Sequence, residues 1–159
     1  MHLAIAALYA KPRTVSFVLA DDWAREATEV ALEGVLEHLV GDWTLQLDGV
    51  CVEVKGSLAF AGTGHCDRCY ESVRIEESLQ VHLAYLPEGH SGKDPELSSD
   101  QLDVGWYRNK SIILDDVLSE AIALALPSRR VCNDAGACDE RMGAMLQAAH
   151  QTNSTAHDL

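Results

Sequence analysis

Apolar and polar residues alternate with two different periods in the first third of the chain, which predicts a strand followed by a helix. The stretch TVSFVLADDW is typical of a strand running into a helix start, where Asp21 or Asp22 can cap the free amides. Helical spacing then continues to Gly41, a residue type that favours a helix end. The apolar stripe of this predicted helix comprises Leu32, Val35, Leu36 and Leu39, and a separate acidic stripe comprises Glu26, Glu29, Glu33 and Glu37.

The central part of the chain has the period of two that predicts β-strands. Alternation runs through Trp43–Leu47 and Val50–Val54, and Asp48-Gly49 between them predicts a type I′ hairpin turn. Lys55-Gly56 predicts a further turn, and alternation resumes over residues 73–85. Successive strands joined by hairpins form antiparallel sheets. Cys51 shares its face with charged residues, so we expect a thiol on the outer face that plays no part in a site.

The last third of the chain combines an acidic loop, a short strand and a second helix. Residues 87–103 carry Pro, Gly, Ser and acids without period, and VGWYRNKSII is typical of a short strand. In LDDVLSEAIALALP, Asp115 and Asp116 suit a helix N-terminus, and Pro127 ends the helix. Its predicted inward residues are Val117, Leu118, Ala121, Ile122 and Ala125.

These elements predict an α+β fold in a single domain. We expect an antiparallel sheet with two main helices, a Cys-rich loop after the second helix, and then one more helix with a frayed end. The N-terminal residues MHLAIAALYAKP are expected to be a first strand or a lead-in to it. A length of 159 residues agrees with one domain.

Composition narrows the possible partners. A net charge of −13 means that the average surface repels phosphate, which favours protein partners over bare RNA. The nearest approach to a basic face is the sparse set Arg108, Lys110, Arg129 and Arg130, which can equally be solvated surface charge. The acidic stripe, in turn, can contact a basic partner, for example a ribosomal protein, or be a solvated helix face. No apolar run is long enough to span a membrane, so we expect a cytoplasmic protein without a membrane partner.

The cysteines supply the candidate chemistry. Cys66 and Cys69 have the two-residue spacer that lets both sulfurs reach one ion, and Cys132 with Cys138 completes a four-thiolate set suited to structural zinc. The second pair is more widely spaced than in typical zinc knuckles, so His65 and Asp134 are substitute ligands to consider.

Two other interpretations of the cysteines stay open. The first pair can serve a thiol oxidoreductase, although the sequence after it is typical of a strand rather than the helix usual in such enzymes. The four thiols can also be small buried hydrophobic residues. Phosphate-binding loops and nucleophile elbows are absent from the sequence, so neither an enzyme nor a small-molecule substrate is supported.

Three segments together resemble the YceD family, the large ribosomal RNA subunit accumulation proteins. They are the C-x-R-C of Cys66, Arg68 and Cys69; the helix ending in Leu124, Leu126 and Pro127; and the following Cys132 and Cys138. They lie within GTGHCDRCYESVRIEESLQV and LDVGWYRNKSIILDDVLSEAIALALPSRRVC.

The resemblance implies a bacterial or organellar factor for processing of large ribosomal RNA or assembly of the large subunit. It implies no established enzymatic activity, and we expect a non-enzymatic accessory factor. Its expected partners are large-subunit precursor ribosomal RNA or ribosomal proteins. We expect residues 1–141 to form the YceD-like domain and residues 142–159 a C-terminal helix or disordered tail. Arg68, Arg129 and Arg130 flank the cysteines and are candidate phosphate contacts, or else solubilising charges.

Overall fold

The structure is a computed structural model that describes residues 1–90 and 104–155, with side chains up to residue 149. The predicted acidic loop therefore lies largely outside the described residues. The described elements, in chain order, are β1 (His2–Ala4), a 3-10 helix (Ile5–Leu8), β2 (Arg13–Val18), α1 (Asp22–Leu32), β3 (Val35–Asp48), β4 (Cys51–His65), β5 (Ser72–Pro87), β6 (Val104–Tyr107), β7 (Ser111–Ile113), α2 (Leu114–Ala125) and α3 (Ala135–Thr155).

Five strands form the main sheet in the order β2-β3-β4-β5-β6, and β1 pairs with β7 in a small second sheet. The pairs from β2 to β5 are antiparallel, whereas β6 is parallel to β5. The predicted α+β class and single domain are confirmed. The sheet is mixed rather than wholly antiparallel, because the chain re-enters it at β6 in the direction of β5.

The β3–β4 hairpin is present where the sequence predicted it. Asp48 pairs with Cys51, and of the two loop residues between them only Gly49 has a positive φ, +60°. A type I′ turn needs positive φ at both positions, so this is a different two-residue turn. The turn predicted at Lys55-Gly56 was wrong, since β4 is continuous there. A Cβ on Gly56 would lie 2.0 Å from the Asp42 carbonyl oxygen, so this glycine permits a close approach of strands.

The predicted first helix is only half helical. α1 ends at Leu32, and the next residue, Glu33, is left-handed with φ +53°. Gly34 then passes so close to β4 that a Cβ would lie 1.8 Å from the Thr63 carbonyl oxygen. The chain leaves this contact as strand β3, so the prediction of a helix continuing to Gly41 was wrong.

A β-bulge explains why the start of β3 has helix-like spacing. The pairing shifts between Leu36 and His38, which leaves Glu37 as an extra residue. Because a bulge reverses which face successive side chains occupy, Leu36 and Leu39 both point into the core although they are three apart. The acidic stripe does not form one helix face, because Glu37 lies on this strand.

The core lies between one face of the sheet and the paired helices α1 and α2. Phe17 packs edge-on against Trp23 and Trp43, with ring centroids 5.2 and 4.9 Å apart. The predicted inward face of α2 is confirmed, with Ala125 packed at its margin. Buried residues of the three long strands include Leu39, Trp43, Leu45, Val52, Val54, Leu58, Phe60, Ile75, Val81, Leu83 and Tyr85.

The third helix, α3, runs without a break across residues 141 and 142, and the domain boundary expected there stays a prediction. Within residues 1–90 and 104–155, no helix combines the length and apolar character needed to cross a membrane.

Two glycine substitutions test the helix-to-strand junction. Gly34→Ala should lower the free energy of unfolding by about 2 kcal/mol or more, since its Cβ would overlap the backbone of β4. Gly143→Ala in α3 is the matched control; its Cβ meets nothing within 4 Å, so stability should be unchanged or rise by up to about 1 kcal/mol. Urea denaturation measures both, and equal stabilities of the two variants would contradict the close approach at Gly34.

Candidate metal centre

The four predicted cysteines converge at one end of the sheet. The sulfurs of Cys66, Cys69, Cys132 and Cys138 all lie within 4.8 Å of one another. Cys66 is 3.9 Å from Cys138, and Cys69 is 3.4 Å from Cys132, measured between sulfurs. The cluster therefore joins two segments that are 63 to 72 residues apart in sequence.

The first pair lies on the turn that connects β4 to β5. The Cys66 amide donates to the Glu71 carbonyl at 2.8 Å, and the Tyr70 amide donates to the Cys66 carbonyl at 2.9 Å. Tyr70 is left-handed at φ +61°, which turns the chain back into β5. This tight turn brings both sulfurs to the same side, as the two-residue spacer predicted.

The second pair reaches the cluster from a loop and a helix start. Cys132 lies in the loop after α2, whereas Cys138 lies in the first turn of α3. The wider spacing works because the intervening residues begin the helix, where the Asp134 carboxylate accepts a hydrogen bond from the Ala137 amide at 3.0 Å. The substitute ligands are not needed: Asp134 caps the helix, and His65 stacks on the Tyr70 ring with centroids 4.2 Å apart.

The spacing and burial of the sulfurs suit a metal ion. A tetrahedron of thiolates about 2.3 Å from zinc has sulfur–sulfur edges of about 3.8 Å, which lies within the observed spread. Cys66, Cys69 and Cys138 are at most 2% exposed, and Cys132 is half-buried. Val73 and Met142 pack against them. The cluster could therefore hold a metal ion in a closed site.

Arg141 is a residue of the site that the sequence analysis missed. Its guanidinium donates to the sulfurs of Cys69 and Cys132 at 3.5 and 3.4 Å, and lies 3.8 Å from the Glu71 carboxylate. Position 141 is three residues after Cys138 on α3, and residues three apart share one face of a helix. That spacing is the signal that could have revealed it.

The surroundings divide the four thiols into two kinds. Hydrogen bonds from backbone amides, foremost that of Cys69, lower the pKa of Cys66 to about 6, and the Arg141 guanidinium lowers the pKa of Cys69. Burial raises the pKa of Cys138 to about 12, and hydrogen bonding to Cys69 raises the pKa of Cys132. The surroundings thus favour the thiolate form of the first pair and the neutral thiol form of the second pair.

Arg130 ties the cysteine turn to the end of α1. Its guanidinium donates to the Leu32 carbonyl at 2.6 Å and lies 3.3 Å from the Glu33 carboxylate. Its backbone pairs with Asp67: the Asp67 amide donates to the Arg130 carbonyl at 2.8 Å, and the Arg130 amide donates to the Asp67 carboxylate. Only 15% of the Arg130 side chain is exposed, so most of it is buried against the protein rather than available to a ligand.

The other two predicted phosphate contacts lie on the surface near the cluster. Arg68 forms an ion pair with Asp139 of α3. Arg129 is exposed, has no carboxylate partner among the described residues, and lines a groove of about 280 Å³ beside β5. Contact of Arg68, Arg129 or Arg130 with phosphate stays a prediction.

The geometry gives little support to the oxidoreductase hypothesis. Cys66 and Cys69 follow a strand and precede another, whereas a reactive thiol pair commonly begins a helix. Both are nearly fully buried, which keeps a substrate disulfide from the attacking sulfur. A reduction-potential titration would test reversible cycling of the pair near cytosolic poise.

Adjacent arginines provide a matched test of the link between α1 and the cysteine turn. Arg130→Met should lower the free energy of unfolding by about 1.5–3 kcal/mol, because a charged hydrogen bond to the Leu32 carbonyl is lost. Arg129→Met removes the same charge from an exposed position and should change stability by no more than about 0.5 kcal/mol. Denaturant unfolding compares them, and equal effects would contradict the assigned role of Arg130.

Comparison with known proteins identifies the family. The family model described as "Large ribosomal RNA subunit accumulation protein YceD" matches residues 54–157, a span that includes all four cysteines of the cluster. The chain belongs to this family. Neither a curated protein nor a solved structure matches it.

Proposed function

We propose that this YceD family member is a non-enzymatic accessory factor for accumulation of large ribosomal RNA, acting in its processing or in large-subunit assembly. The family match over residues 54–157 carries the proposal. Its partners are precursor ribosomal RNA of the large subunit or ribosomal proteins, and it acts in the bacterial cytoplasm. The part of the chain that the structure describes offers no competing catalytic constellation.

The cysteine cluster acts in this proposal as a structural zinc site. Four protein thiolates complete a tetrahedral shell and leave no position for water or substrate, which is typical of structural rather than catalytic zinc. The sulfurs of Cys66, Cys69, Cys132 and Cys138 lie within 4.8 Å of one another and are mostly buried, which suits a closed shell. Zinc binding would add directly to the free energy of folding, since the ligands are far apart in sequence.

The charges around the cluster favour the same assignment. Zinc with four thiolates carries a net charge of about −2, which is costly to bury without compensation. The Arg141 guanidinium contacts two of the sulfurs and offsets part of that charge. Backbone amides around Cys66 offset more of it. Buried cysteines that served only as hydrophobic residues would not need an arginine against their sulfurs.

The proposed zinc site predicts that the zinc content of the protein depends on Cys138 but not on Cys51. Protein purified without chelator should contain one zinc ion per chain, and Cys138→Ser should lose it because serine is a poor zinc ligand. Cys51→Ser is the control, since Cys51 lies outside the cluster. Chelation should lower stability by about 4 kcal/mol, measured against protein with free zinc a thousandfold above Kd. Metal that stays substoichiometric after reconstitution would contradict the site.

The cellular role predicts an effect on ribosomal RNA. Depletion of the protein should lower mature large-subunit ribosomal RNA relative to small-subunit RNA, and the tagged protein should co-sediment with large-subunit precursors. Cys51→Ser should complement the depletion, whereas Cys138→Ser should complement it poorly. An unchanged ribosomal RNA profile on depletion would contradict the proposed role, whatever the metal content.

A further inference from the structure

Exposed aromatic rings gather at the end of the fold opposite the cysteines. Tyr9, after the 3-10 helix, is 75% exposed, and Trp106 of β6 is 57% exposed. The cysteine cluster lies beyond His65, whereas β6 pairs with β5 near Tyr85, so about 13 residues of β4, on the order of 40 Å, separate the two ends. These rings are therefore independent of the candidate metal centre.

Two clefts flank the turn between β6 and β7. The first, of about 610 Å³, is lined by Tyr9, Arg108 and Lys110 together with Glu88. The second, of about 470 Å³, is lined by Trp106 and again by Arg108, together with Asp116. Each cleft thus combines an exposed aromatic ring with a cation. We call Tyr9, Trp106, Arg108 and Lys110 the aromatic turn surface.

The cations here differ from those elsewhere in this acidic chain. Most described lysines and arginines have a carboxylate within 4.0 Å, and Arg108 is itself held by Glu88 at 2.7 Å. Lys11, Arg13, Lys110 and Arg129 have no such partner among the described residues. Of these, Lys110 lines the first cleft, and Lys11 and Arg13 lie on the segment that follows Tyr9. Unpaired positive charge is therefore concentrated at this end.

The backbone of the turn is strained at Lys110. Asn109 and Lys110 have φ values of +53° and +55°, and the Ser111 amide donates to the Arg108 carbonyl at 2.9 Å. This is the geometry of a type I′ turn, where glycine is favoured at the position of Lys110. A long cationic side chain there is not required by the fold, and strain of this kind is typical of functional positions.

We propose that the aromatic turn surface binds single-stranded RNA, with bases stacked on Tyr9 and Trp106 and phosphates contacted by Lys110 and Arg108. Proteins that bind single strands combine aromatic platforms with cations along the backbone. The choice of RNA among anionic ligands rests on the proposed function. The net charge of −13 does not by itself prevent this contact, because distant charges are screened beyond about 10 Å at 0.1 M salt. The nearby acids that line the clefts are Glu88, which is paired with Arg108, and Asp116.

Binding of a fluorescein-labelled 12-nucleotide oligouridylate to the full chain, followed by anisotropy in about 50 mM salt, tests the proposal. Tyr9→Ala should weaken binding by roughly 5- to 150-fold, the range expected for one stacked base, while Tyr9→Phe should retain it. Lys110→Gly should weaken binding and reduce the slope of log K against log salt by about 0.7, the value for one phosphate of a single strand.

Stability separates a binding role from a structural one. Lys110→Gly relieves the positive φ and should leave thermal stability unchanged or raised, even as binding weakens. Lys55→Gln is the charge control; it removes a cation that is paired with Glu53 on β4, and binding should not change.

Absent binding, or binding that Tyr9→Ala and Lys110→Gly do not affect, would overturn the proposal. So would binding of a polyglutamate peptide in place of the RNA, which would assign the surface to an acidic protein. Each of these results could occur while depletion of the protein still lowers large-subunit ribosomal RNA. Failure of the RNA-binding proposal is therefore distinct from failure of the proposed ribosomal role.

Discussion

The convergence of four sulfurs is the constraint on which the C-terminal part of the molecule depends. The main core is built from the sheet, α1, α2 and the N-terminal segment, whereas the buried residue that α3 contributes among the described side chains, Cys138, belongs to the separate small cluster around the cysteines. Beyond that cluster, α3 is held by surface ion pairs such as Arg68 with Asp139, which are worth no more than about 1 kcal/mol each. A metal bound by the sulfurs would therefore add directly to the attachment of α3.

The long β4–β5 hairpin gives the molecule two ends with different chemistry. At the Cys66 end, thiols and Arg141 form a closed buried site, and Arg130 connects it to α1. At the other end, exposed rings, the unpaired Lys110 and the Glu88-paired Arg108 lie on and beside a strained turn. The cysteine cluster and the aromatic turn surface therefore share no residues. In the proposed accessory role, the first end stabilises the fold and the second end binds RNA.

The sequence was informative wherever local pattern and tertiary structure agree. The convergence of the four cysteines, the position but not the type of the turn after Asp48, and the inward face of α2 all follow from local sequence pattern. The first helix was overextended because a helix end, a close glycine contact and the bulge at Glu37 together place Leu32, Leu36 and Leu39 at helical intervals. That coincidence depends on β4, which is distant in sequence. The parallel edge strand likewise depends on where the chain returns to the sheet.

The charge argument from composition was limited for a similar reason. The net charge describes only the average surface. Whether a particular cation, such as Lys110 or Arg130, has a partner depends on the fold. Arg130 is used inside the molecule, while Lys110 is exposed on a strained turn. Arg141 was missed because its importance comes from sulfurs contributed by two other segments.

X-ray absorption at the zinc edge, on protein loaded with one equivalent of zinc, tests the central claim most directly. Convergence of the cysteines predicts a first shell of four sulfur atoms at about 2.3 Å. A shell containing nitrogen or oxygen ligands, or fewer than four sulfurs, would contradict the shared site.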